Sequence, residues 1–245
     1  MTPPCQPSAR ALHALGRFLV PPQKLLGIDF GTRFLGLAIS DGSCLVAAPH
    51  KVLDERSASK VFGFGPDSLG ALITQQRVAA LVVGLPFTSG GGEDAACARV
   101  RRFVRDLHAN GVTDRPVFYW DEAGTSQEAR RMFEDVHRVM KFSDQKRRGS
   151  DKIAACLVLQ SFLDHFNRVR DAMSRTSFAN SSSSLPSLAL PSSPSALHAA
   201  MSMQLQASRR VGGGATLIDQ LPRNDPYVAL PPHSPTAGNA RVAPF

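Results

Sequence analysis

The sequence predicts an α/β domain, a mixed β-sheet with helices on both faces, carrying an N-terminal extension and a disordered C-terminal tail. Three observations support this. Between about residues 25 and 168, apolar runs of strand length alternate with helical patterns. One run, VAALVVGLP, is apolar without interruption, the mark of a strand covered on both faces. Near residue 170 the periodicity stops. The chain has 245 residues, 43% hydrophobic and 20% charged, which suits one sizeable core. No apolar run approaches the ~20 residues that cross a bilayer, so no membrane partner is expected.

Taken in order, LLGIDFG and GLAIS read as two strands joined by a Gly-rich turn, and CLVAAPHKVL as a third. PDSLGALITQQR reads as a short helix with Pro66 near its start. VAALVVGLP is the covered strand, followed by the loop TSGGGED. EDAACARVRRFVRDLHANG places Ala96, Val100, Phe103, Val104 and Leu107 on one helical face, with a stop at Gly111. PVFYW is a strand, and TSQEARRMFEDVHRVM a helix with a Ser or Thr cap and an acidic first turn. KFSDQKRRGS reads as a polar basic loop before a final apolar helix, SDKIAACLVLQSFLDHF.

The flanks differ from this core. Residues 1–24 carry three basic groups and no acid, which suits a transit segment or a short helix packed on the domain. Residues 169–245 are rich in Ser, Pro and Ala, with ten serines in 171–200. Such a composition buries too little apolar area to offset ordering entropy, so this tail is expected to be disordered. The net charge is +8, yet residues 25–168 carry 19 basic and 17 acidic groups. Most of the excess sits on the flanks, and net charge alone does not establish a nucleic-acid partner. Cys5, Cys44, Cys97 and Cys156 are scattered, without zinc spacing or a disulfide framework, as in a reducing compartment. The expected location is intracellular, organellar or cytoplasmic.

Three acids stand where an acid is awkward for folding. Asp29 lies inside an apolar strand, where an unpaired charge costs several kcal/mol. Asp121 and Glu122 close the strand PVFYW at its C-terminal end, where open α/β sheets place ligands. Asp151 begins the most apolar helix. Singly, Asp121 and Asp151 read as helix caps or dipole partners. Together, converging carboxylates require a hard cation, and oxygen-only ligands suit Mg²⁺ or Mn²⁺.

The blocks LLGIDFGTRFLGLAISD, VVGLP, YWDEAGTSQEA and SDKIAACLVLQSFLD, in this order, resemble the YqgF/RuvX family of the ribonuclease H-like superfamily. Its members are described as Holliday-junction resolvases or pre-ribosomal-RNA nucleases. The resemblance covers about residues 25–166. It implies a ribonuclease H-like mixed sheet in which Asp29, Glu122 and Asp151 hold two divalent ions for phosphodiester hydrolysis. Asp121, Thr32, Arg33, Thr125 and Ser126 take supporting positions. The substrate it implies is a ribosomal-RNA precursor, as in pre-16S 5′-end maturation, or branched DNA.

The sequence departs from the family in two places. Members carry two consecutive basic residues after GT; here Arg33 is followed by Phe34. Their D-E-R-L-T reads DEAGT, with Ala123 in the basic position. Fewer cations predict weaker phosphate contact and slower turnover. Lys146, Arg147, Arg148 and Lys152, around Asp151, are the expected replacement contacts. Arg99, Arg101, Arg102 and Arg105 read as a solvated helix face. The extensions suggest a eukaryotic or organellar member. Two other function classes stay open: a non-catalytic RNA-binding or ribosome-assembly module, and an ATP-dependent kinase of the actin and hexokinase type.

Overall fold

β1 (Lys24–Phe30) and β2 (Phe34–Ser40) form an antiparallel hairpin with Asp29 opposite Gly36 and Phe30 opposite Leu35. Their turn closes through Gly31 N–H to the Phe34 carbonyl at 3.0 Å. A Cβ on Gly31 would stand 2.7 Å from that oxygen, so only glycine fits. The coordinates are a computed structural model, which describes residues 6–54, 57–63, 65–88, 92–121, 143–181 and 216–232.

β3 (Ala47–Asp54) pairs antiparallel with β2. It begins later than the run CLVAAPHKVL suggests. The Asp41 carboxylate accepts from the N–H groups of Ser43, Leu45 and Val46 at 3.2, 2.7 and 2.9 Å, which bends 41–46 into the hairpin loop. After α2 (Ala58–Val61), α3 (Leu69–Gln75) starts at Ser68, whose hydroxyl accepts from Ala71 N–H. Ser68 thus caps the helix two residues beyond Pro66.

β4 (Val78–Leu85) runs parallel to β1 and is buried along its whole length, as its unbroken apolar run requires. α4 (Ala95–Ala109) is capped by Asp94 and ends before Gly111, at φ +66°. β5 (Val117–Asp121) lies parallel to β4. α5 (Ser143–Ser181) then crosses the sheet, and α6 (Leu217–Gln220) and β6 (Val228–Ala229) follow. The strand order is β3-β2-β1-β4-β5-β6. The α/β mixed sheet is therefore as expected.

Two apolar clusters sandwich the sheet. One joins Leu26, Ile28, Val83 and Tyr119 to α3 and α4 through Leu72, Phe103 and Val104. The other joins Leu25, Val82, Phe118 and Trp120 to α1 (Ala9–Phe18) and α5 through Leu12, Leu15, Leu159 and Phe162. Of the two readings of the N-terminal extension, residues 9–18 form the packed amphipathic helix, with Ala11, Leu12 and Leu15 buried.

Two expectations need correction. Residues 143–150 are helical, so Lys146, Arg147 and Arg148 lie on α5 and not in a loop. Lys, Arg, Gln and Asp are compatible with helix, and polarity alone does not break one. The tail from 169 is also not uniformly disordered. α5 continues to Ser181, with Val169 against the core and Arg170 over the Phe166 ring. Residues 216–232 return to the sheet, where Val228 pairs with Phe118 and is buried with Leu221. Residues 182–215 and 233–245 lie outside the described residues.

Candidate active site

Alternation along β1 fixes the direction of Asp29. Leu26 and Ile28 enter the cluster on the α3–α4 face, and Leu25 the cluster on the α5 face. Gly27 and Asp29 share the parity of Leu25, so both turn toward α5. Asp29 is half-buried near the C-terminal end of its strand.

Gly27 explains how close α5 comes. A Cβ there would lie 2.7 Å from Leu159 Cβ and 3.0 Å from the Ala155 carbonyl, so the helix rests on bare backbone. The helix runs toward the beginnings of β1 and β3. Cys156 Sγ donates to Ala47 O, Ala47 N–H donates to Gln160 Oε1, and Asn167 Nδ2 donates to Cys44 O. Its N-terminal part therefore lies toward the C-terminal end of β1. Asp151 precedes Ala155 by one turn, about 6 Å, and Asp29 follows Gly27 by two residues, about 6–7 Å. Both displacements point the same way. The turn of α5 that carries Asp151 thus lies toward the same end of the sheet as Asp29, on the same face. The Asp151 side chain lies outside the described residues.

Asp121 ends β5 opposite Leu85 of β4. Its parity is that of Val117 and Tyr119, on the α4 side, whereas Phe118 and Trp120 face α5. β4 separates β5 from β1, which puts the two strands about 9–10 Å apart. Glu122, Thr125 and Ser126 lie outside the described residues. Thr32 and Arg33 sit exposed in the β1–β2 turn, with Arg33 Cζ 5.0 Å from the Phe34 ring centroid.

Lys146, Arg147 and Arg148 occupy the first turns of α5, and their side chains are outside the described residues. Lys152 is half-buried near β3. Burial, and then the charges of Lys51, Lys152 and Lys24, hold His50 below the usual histidine range. Among the described residues, no three His, Cys, Asp or Glu side chains form a metal-binding group. Of the three expected ligands, only the Asp29 side chain is among them. Its chemistry, an oxygen donor at the ligand-binding end of a parallel strand pair, fits a hard divalent cation.

Two arginines read as solvated have specific partners. Arg99 Cζ lies 5.4 Å from the Phe30 ring centroid, and Phe30 stacks on Phe103 at 4.6 Å. Such a cation–π contact contributes about 0.5–1 kcal/mol at an exposed position. Arg101 binds both Glu93 carboxylate oxygens, donates to Pro226 O at 3.0 Å and covers the Tyr119 ring. For the first, the sequence shows only the helix side of the contact. Arg99 and the core residue Phe103 are four apart, on one helical stripe.

A protein of Anaplasma marginale described as a pre-16S rRNA nuclease is 37% identical over 143 residues, 58% of this chain and 85% of the relative. One from Paramagnetospirillum magneticum, with the same description, is 36% identical over 146 residues, 58% of this chain and 86% of the relative. The solved structure of Thermus thermophilus RuvC with a Holliday junction substrate overlaps 58% of this chain and 96% of its own. It does so at TM-score 0.38 and 17% identity, too loosely to add to the fold described above. Residues 23–165, more than half of the chain and spanning β1 to the middle of α5, match the model of the family RuvX: Holliday junction resolvase. The chain therefore belongs to the RuvX family.

Proposed function

We propose that this protein is a metal-dependent nuclease that hydrolyses phosphodiester bonds in structured RNA, of the pre-16S rRNA precursor type. The observation that carries the reading is the half-buried Asp29, turned from a parallel-paired strand toward the helix on which Asp151 lies one turn before Ala155. The second acid of this reading is Glu122, which follows Asp121 in sequence and lies outside the described residues. Asp29, Glu122 and Asp151 would hold Mg²⁺ or Mn²⁺, two ions in the full site. When bound, such ions supply an activated water and charge stabilisation for the leaving oxygen.

The chain's own residues do the remaining work. Asp29 provides negative charge on a strand held against α5 at Gly27, the helix whose sequence carries Asp151. Thr32 and Arg33 stand in the turn just after Asp29, where they can orient a phosphate. Lys152, and Lys146 to Arg148 on the same helix, are the cationic residues of this reading. With Phe34 and Ala123 in place of two cations, turnover is set below that of relatives that carry both.

The test is cleavage by the full chain of a labelled RNA stem-loop and a four-way DNA junction, with Mn²⁺ or with EDTA. Mn²⁺-dependent cleavage of the RNA, absent in Asp29→Asn, is expected. Cleavage confined to the junction would replace RNA by branched DNA. Binding without cleavage would instead favour an RNA-binding assembly module.

A further inference from the structure

We propose that Arg99, on α4, is a phosphate-backbone contact of the Asp29 site, seated beside it by Phe30; this rests on the nuclease reading above. Phe30 follows Asp29 directly, and its ring stacks on Phe103. One helical turn before Phe103, Arg99 lies over the same ring. The contact places an exposed guanidinium at the C-terminal end of β1, on the α4 side, while Asp29 turns to the α5 side.

The α4 arginines are not equivalent. Arg101 is bound to Glu93 and to the Pro226 carbonyl, and Arg102 lies 3.8 Å from Asp106. Among the described residues, no carboxylate lies within ion-pair distance of Arg99 or Arg33. The two form a pair around one turn. Phe30 and Phe34 bracket Gly31–Arg33, and each ring carries a guanidinium, Arg99 over the first and Arg33 over the second. Phe34, next in sequence, thus holds the Arg33 guanidinium.

A guanidinium resting on an aromatic face keeps its in-plane N–H donors available and loses little further freedom on meeting an anion. A nucleic-acid strand crossing the end of β1 to reach Asp29 passes this rim. Arg99 then offsets phosphate charge that Arg33 alone does not compensate. The ligand class is the phosphodiester backbone, which RNA and DNA share.

The experiment measures binding of a labelled RNA stem-loop and a four-way DNA junction in EDTA, over a range of salt, by fluorescence anisotropy. It uses the full-length parent, Arg99→Ala, Arg99→Lys and Arg105→Ala, with cleavage in Mn²⁺ followed in parallel. Arg105 lies six residues, about 9 Å, further along α4. Arg99→Ala should weaken both probes roughly 5–10-fold at ~0.1 M salt and lower the salt slope by about 0.7–0.9. Arg99→Lys should keep the slope and recover part of the affinity. Arg105→Ala should match the parent. Arg99→Ala equal to the parent, an equal loss in Arg105→Ala, or a loss on one probe alone would overturn the contact while leaving the nuclease reading intact. A parent that neither binds nor cleaves would overturn both.

Discussion

The Ser8 backbone N–H donates to Asp225 Oδ2 at 2.8 Å, joining positions 217 apart in the chain. Ser8 caps α1, and Asp225 also accepts from Tyr227 N–H at 3.0 Å as the chain turns into β6. α1 and the segment 216–232 both lie outside residues 23–165, the part that matches the family. They nevertheless hold each other. Together they cover the α5 face of the sheet and the outer edge of β5, which would otherwise present unpaired backbone groups.

Ending the chain after Ser181 is therefore expected to be destabilising. Leu221 and Val228 are buried, and their exposure costs about 2–5 kcal/mol together. The melting temperature should fall, and the amides of Val117 to Tyr119 should lose protection from exchange. Unchanged melting and protection would make the segment a passenger.

Asp225→Ala should act through the same joint, at about 1–3 kcal/mol, because it removes a buried charged acceptor from two part-buried N–H groups. Arg101→Ala should cost less, about 1 kcal/mol, since the Arg101–Glu93 pair is partly exposed. Chemical denaturation of the two variants gives the order directly. The reverse order would contradict it.

Gly27→Val should separate the two walls of the candidate site. The added carbon atoms meet Leu159 Cβ and the Ala155 carbonyl, and overpacking of this kind costs about 1–3 kcal/mol or more. If α5 shifts to make room, Asp151 moves with it. The variant should then require more Mn²⁺ for cleavage than Leu163→Ala, a core truncation further along the same helix. Equal metal requirements would show that the contact at Gly27 serves stability alone.

Acidification should weaken the fold below about pH 6.5. His108 is held below the usual histidine range, first by burial, and partly offset by its contact with the Arg115 carbonyl. His165 is lowered by burial and then by Arg168. The unfolded chain thus takes up protons before the folded one, so stability is full above the unfolded value and declines as pH falls through it. His108→Gln should flatten this part of the melting profile. A parent whose stability is level from pH 7.5 to 5.5 would contradict the assignment.

Most of the sheet could be read from the chain because its signals are local and repetitive. VAALVVGLP announces a strand covered on both faces, and the i, i+4 spacing from Ala96 to Leu107 announces α4. β6 gave no such signal, since two paired residues are too few to show alternation. The start of α5 was obscured because Lys146 to Arg148 are polar, and polarity does not distinguish a loop from a solvated helix. Asp29 stood out because a carboxylate inside an apolar strand is costly without a purpose. Arg99 did not, because its partner Phe30 lies on a strand almost 70 residues away, and only packing brings them together.

Direct titration of Mn²⁺ into the full-length protein tests the central claim most closely, with Asp29→Asn, Glu122→Gln and Asp151→Asn measured beside the parent. The parent should bind Mn²⁺ and each variant should show a marked loss of affinity, with all four proteins folded by circular dichroism. Binding that is unchanged in all three variants, or a folded parent that takes up no Mn²⁺, would contradict it.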